Sequence, residues 1–133
     1  MGVPRERKHR LPEAAYVGRK TVSFVACEDH RRPLLANCEL VDSLVTMLTE
    51  AVAHYACIVP VHCFMPDHLH VVVTGLDDNS RPKTAIERFK YYSGIWLEQN
   101  GSQIEWQKDF HDHIIRRSQD WSAQIRYVAL NPV

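Results

Sequence analysis

Ala56-Cys57-Ile58-Val59-Pro60-Val61-His62-Cys63-Phe64-Met65-Pro66-Asp67-His68-Leu69-His70-Val71-Val72-Val73-Thr74 contains two β-prone runs either side of Met65-Pro66-Asp67. The tripeptide reads as a tight turn, because proline presets φ and aspartate bonds its own backbone. Two strands joined by so short a connection form an antiparallel hairpin. Pro60 cannot donate to a ladder, so its strand carries an irregularity or lies at an edge. Side chains alternate along a strand. Leu69, Val71 and Val73 therefore face a core, and His68, His70 and Val72 share the other side.

The flanking segments complete the frame. Residues 20–27 are β-branched and apolar and read as a strand. Asn37 can cap a helix running to about Tyr55, with Leu40, Val41, Leu44, Leu48 and Val52 at helical spacing. Pro82 opens a helix to about Gln99, with Ile86, Phe89, Ser93 and Trp96 or Leu97 on one face and Gly101 as a stop. Residues 112–116 form a short strand. Ser118 can cap a last helix, which Pro132 closely follows. The order is strand, helix, strand, strand, helix, strand, helix. Its first six elements match a ferredoxin-like split βαβ plait, an α+β fold with an antiparallel sheet, here with an extra C-terminal helix. The 133 residues suit one domain spanning 1–133, with residues 1–12 as a flexible basic arm.

Two patterns in this frame carry chemistry. His68 and His70 put two imidazoles on one strand face, half of a divalent-metal site. The spacing alone fits two ordinary polar residues on a half-exposed strand better. On the last helix, Trp121, Ile125 and Val128 make a buried stripe, while Asp120, Gln124, Tyr127 and Asn131 recur at i, i+4, i+7 and i+11. Tyr127 thus lies on the polar side, with Gln124 and Asn131 a turn away on either side. That position would suit a nucleophile, and by itself suits better an amphipathic ring lying on a surface or a partner.

Net charge is zero, but it is unevenly spread. Residues 1–33 hold eight Lys/Arg against four Asp/Glu, residues 34–80 none against six, and residues 81–133 eight against six. If the fold joins the two ends of the chain, a basic face forms opposite an acidic one. Cys27, Cys38, Cys57 and Cys63 include no CxxC pair, which disfavours a zinc site and fits free thiols in a reducing cytoplasm. No apolar stretch is long enough to span a membrane, and no apolar run follows the basic N-terminus as a secretory signal would require. The expected location is cytoplasmic.

Three blocks in order resemble the REP-associated tyrosine transposases, relatives of the single-tyrosine HUH transposases of small bacterial insertion sequences. Phe64-Met65-Pro66-Asp67-His68-Leu69-His70 is similar to their "hydrophobic-Met-Pro-Asn/Asp/Glu-His-hydrophobic-His" run. Trp106-Gln107-Lys108-Asp109-Phe110-His111-Asp112-His113-Ile114-Ile115-Arg116 and Arg126-Tyr127-Val128-Ala129-Leu130-Asn131-Pro132-Val133 resemble two further blocks of that family. The resemblance implies an endonuclease and rejoining activity on single-stranded or hairpin DNA through a covalent phosphotyrosine. It implies Tyr127 as nucleophile, and His68, His70 and Asn131 as ligands of Mg²⁺ or Mn²⁺. Asp67, Gln124 and His113 are candidates for supporting roles. Lys83, Arg88 and Lys90 near the Pro82 helix, and Arg116, Arg117 and Arg126 near the tyrosine, are candidate phosphate contacts. Tyr91 and Tyr92 could stack bases. A homodimer is compatible with the resemblance. Family members usually continue past Asn-Pro-Val. The alternative is therefore a catalytically silent, domesticated or truncated single-stranded nucleic-acid-binding module of the same fold. Replication initiators and relaxases usually offer a third histidine, and a plain small-molecule domain leaves the three blocks without a reason.

Overall fold

The structure is a computed structural model that describes residues 11–116 and Arg126. Its strands are β1 (Thr21–Cys27), β2 (Cys57–Met65), β3 (His68–Gly75) and β4 (His111–Ile115), and its helices α1 (Cys38–His54) and α2 (Pro82–Gln99). Single 3-10 turns at Glu13–Tyr16 and Leu34–Ala36 were not foreseen in the sequence. The strand order is β2-β3-β1-β4, with every neighbouring pair antiparallel. This is the ferredoxin-like order that the sequence predicts. The expected C-terminal helix, with Gln124, Tyr127 and Asn131, lies outside the described residues, as does Arg117.

Local chemistry accounts for the boundaries. The Asn37 side chain accepts from the Leu40 backbone N–H at 2.9 Å, satisfying one of the free donors at the start of α1. Pro82 stands in the first turn of α2, where a missing N–H costs nothing. Pro60 meets both of its expectations: β2 is an edge strand, and its register with β3 shifts between Ile58 and Val61.

Both helices pack on one face of the sheet. Leu44, Leu48 and Val52 of α1 and Ala85, Ile86, Phe89 and Leu97 of α2 join Val22, Phe24, Leu69, Val71 and Val73 in one buried cluster. Burying a side chain of this size contributes roughly 1.5–3 kcal/mol. That burial fixes the strand register, because a slip of one residue would turn His68 and His70 into this core. Among the described residues, no helix is long and apolar enough to cross a membrane.

Candidate functional site

Pairing registers define the sheet face opposite the helices. Cys27 pairs with His68, Val25 with His70 and Ser23 with Val72, while Met65 and Cys63 on β2 stand opposite His68 and His70. On β4, His111 pairs with Val25 and His113 with Ser23. Directly paired residues point to the same side of a sheet. His68, His70, His111 and His113 therefore belong to one face. Sequence reading named His113 as a supporting candidate without assigning it to this face, and missed His111, whose spacing from His113 was the available signal.

The His68 and His70 rings lie edge to face with centroids 4.7 Å apart. His70 is buried, and its pKa is lowered, first by burial and then by the neighbouring His68. It is thus neutral at neutral pH, the form in which imidazole binds a metal. His68 Nδ1 lies 2.6 Å from Asp67 Oδ1. The bond to His68, followed by the bond and charge of Arg31, holds the Asp67 carboxyl below its usual range against the opposing effect of burial. An ionised carboxylate only accepts, so Nδ1 donates in this bond and Nε2 is the ring nitrogen left available to a cation. A carboxylate that fixes the tautomer of a ligand histidine is the common outer partner of metal sites. This donor set fits a divalent cation. Cys27, beside His68, has its pKa raised chiefly by burial and stays a thiol, a poor ligand.

Asp67 is held in turn. Arg31 Nε donates to Asp67 Oδ2 at 2.9 Å. The Glu28 backbone N–H donates to Asp67 O at 2.9 Å, and Leu35 N–H to Pro66 O at 2.8 Å. The turn between β2 and β3 is therefore clamped to the segment following β1. That segment is organised around Glu28, whose side chain is fully buried. Its carboxylate accepts from the backbone N–H of His30 at 2.9 Å, of Arg32 at 2.8 Å and of Glu105 at 3.3 Å. Arg32 Nη2 adds a fourth bond at 2.7 Å. Sequence reading did not single out Glu28 or Arg31. The i, i+4 spacing of Glu28 and Arg32 was the only hint.

The expected phosphate contacts separate into two groups. Lys83 is buried, with Nζ 3.0 Å from Glu13 Oε1 and 2.9 Å from Glu87 Oε2, so its charge is matched within the protein. Lys90 donates to the carbonyls of Gln107 and Lys108 at 2.6 and 3.1 Å and lies over the Phe110 ring. Arg88, Arg116 and Arg126 are exposed. Arg116 lines a cavity of about 370 Å³ together with Arg19 and Lys20, two cations that sequence reading did not single out. Tyr91 and Tyr92 are exposed on α2 with ring centroids 5.0 Å apart, whereas Trp96 packs against the core. A larger cleft of about 740 Å³ is lined by Lys90, Tyr91, Trp106, Gln107 and Phe110 among others, so the second sequence block borders a concave surface.

Elsewhere, Asp29, His30 and Glu105 are exposed, with one potential ligand atom from each within 4.8 Å of the others. All four cysteines are free, with Cys27 and Cys57 buried, Cys63 half-buried and Cys38 exposed.

Comparison with known proteins gives a family and a similar fold. Residues 17–128 match the family described as transposase IS200 like. The fold is similar to that of a REP-associated tyrosine transposase solved bound to a REP hairpin. The TM-score is 0.75 at 20% identity, over 99% of this chain and 73% of that one. It is also similar to a transposase-like protein of Deinococcus radiodurans, with a TM-score of 0.60 at 15% identity, over 93% of this chain and 99% of that one. No curated protein matches the chain.

Proposed function

Because the chain belongs to the IS200-like transposase family, we propose that it is a metal-dependent nuclease and strand transferase acting on single-stranded or hairpin DNA. The observation that carries this reading is the pair His68 and His70 on one face of β3, with the Asp67 carboxylate fixing the tautomer of the first. His68 and His70, joined by Asn131, would hold Mg²⁺ or Mn²⁺. When bound, such an ion offsets the negative charge that builds on a phosphodiester under attack.

The remaining chemistry belongs to side chains. The Tyr127 hydroxyl attacks the phosphorus, and the bond from phosphorus to the 3′ oxygen breaks. The 5′ phosphate stays on the tyrosine, and the tyrosine's proton balances the one taken up by the departing 3′-OH. Attack by another 3′-OH reverses the step and joins strands. The covalent bond conserves the phosphodiester's energy, so no nucleotide is consumed. The exposed Arg88, Arg116 and Arg126 would contact backbone phosphates. Tyr91 and Tyr92 would stack unpaired bases.

The test mixes the protein with end-labelled single-stranded DNA carrying palindromic hairpins, with and without Mn²⁺. The expected product is a denaturant-resistant protein–DNA adduct that needs the ion and is lost in Tyr127→Phe and in His68→Ala. Salt-sensitive DNA binding without an adduct on any hairpin would indicate a silent binding module. Absence of both would overturn the reading.

A further inference from the structure

Arg31 has three features that its exposure to solvent does not explain. It is one of two non-glycine residues with positive φ among the described residues, at 55°. Such backbone is unfavourable for a long side chain and persists where surrounding contacts over-determine it. Those contacts are present: the Arg31 backbone N–H donates to Glu28 O at 3.0 Å, and the Glu28 carboxylate binds the backbone N–H of the residues on either side of Arg31. Finally, the side chain reaches across 36 residues of sequence to Asp67. The Arg31 side chain is 54% exposed and that of Asp67 26%. An ion pair so exposed contributes little to stability. What it can supply is geometry.

Resting on the reading of His68 and His70 as a cation site, we propose that Arg31 is a positioning residue for that site. Its guanidinium holds Asp67 in the orientation that keeps the His68 proton on Nδ1 and leaves Nε2 as the ligand atom. A carboxylate on a turn rotates about its side-chain bonds unless its second oxygen is held. Here Oδ1 meets His68 at 2.6 Å and Oδ2 meets Arg31 at 2.9 Å, so the two oxygens have separate tasks. The planar guanidinium suits this role better than a lysine ammonium, because its N–H directions are fixed. The buried Glu28 anchors the turn from behind, and its backbone bond to Asp67 O makes arginine, carboxylate and imidazole parts of one unit.

The test uses the full chain with Arg31→Asn, since asparagine tolerates left-handed backbone while removing the guanidinium. Two readouts do not depend on activity. The first is the His68 tautomer in metal-free protein, read from long-range proton–nitrogen spectra above the ordinary histidine titration range. Wild type is expected to hold the proton on Nδ1, and Arg31→Asn to shift population to Nε2. The second is direct Mn²⁺ binding. Asp67→Ala is expected to weaken it by about 10- to 100-fold, as loss of an outer partner does. Arg31→Asn is expected to weaken it several-fold, and the double variant to be no worse than Asp67→Ala alone. The thermal midpoint of Arg31→Asn should match wild type. Wild-type tautomer and Mn²⁺ affinity in Arg31→Asn, or additive losses in the double variant, would overturn the inference alone. Wild-type protein that binds Mn²⁺ no better than His68→Ala would overturn the cation reading and the inference with it.

Discussion

Glu28 and Arg32 form a salt bridge at 2.7 Å in which the carboxylate is fully buried and the guanidinium half-buried, four residues apart in a segment with no regular secondary structure. Burial pushes the Glu28 pKa up. The bonds from the Arg32 side chain and from the backbone N–H of Arg32, Glu105 and His30 outweigh it and bring the value down to about 2. The folded value lies below the unfolded one, so the contribution to stability is complete above the ordinary glutamate range. It is lost as pH falls from about 4.5 toward 2. Glu28→Gln should cost about 3 kcal/mol at neutral pH, because it leaves a partly buried guanidinium without its partner. Urea denaturation would show the gap between wild type and variant closing as pH approaches 2. Equal stability at neutral pH would contradict the assignment.

Lys83 and Arg116 should behave as opposites. Burial lowers the Lys83 pKa, but the bonds to Glu87 and Glu13 prevail and leave it raised. Its stabilisation is therefore present below the ordinary lysine pKa and is lost as pH rises through the raised value. Lys83→Ala should lower stability by about 1–2 kcal/mol and leave the salt dependence of DNA binding unchanged. Arg116→Gln should leave stability alone and reduce the salt slope by about one counterion. Measuring DNA affinity against salt for both variants decides the matter, and a reduced slope for Lys83→Ala would refute the structural role given to it.

Gly75 ends β3 where the chain passes close to the segment before β1. A Cβ built there would lie 2.1 Å from Gly18 O and 2.7 Å from Ser80 Cβ. Backbone cannot yield as a flexible side chain does, so Gly75→Ala should cost about 3 kcal/mol. Gly101→Ala is a useful control: its added methyl meets nothing within 4 Å, but φ is +74°, so the cost is conformational and should be only about 1 kcal/mol. Thermal melts that rank Gly101→Ala as the more damaging would contradict the packing argument.

Ser80 binds the same junction from within. Its hydroxyl donates to Ala56 O at 2.6 Å and accepts from the backbone N–H of Leu76 and Asp77 at 2.9 and 3.0 Å. Ser80→Ala removes these three bonds, although Leu76 N–H still donates to Ala56 O at 2.9 Å, and should cost about 1 kcal/mol, with faster amide exchange at Asp77. Unchanged exchange at the Asp77 amide would count against this role.

Much of the fold was legible because its signals are local. The alternation from Leu69 to Val73 and the helical spacing of Leu44, Leu48 and Val52 each state which side is buried, and that burial sets the register. Asn37 and Pro82 mark helix starts through bonds or missing donors within a few residues. His68 and His70 share a face by strand geometry alone.

What the sequence could not disclose depends on residues distant in the chain. Lys83 looked like a free surface cation because Glu13, one of its partners, lies 70 positions away. Glu28 was not singled out, and Glu105, whose backbone N–H is one of its partners, lies 77 positions away. The sequence by itself determined the element order, the core face and the pair of imidazoles, since these follow from periodicity along one strand or helix. Only the tertiary structure decided that Arg31 meets Asp67, that His111 joins the face of His70 through Val25, and which cations are matched inside the protein. Strand pairing and ion pairing join residues by distance in space, which no spacing along the chain encodes.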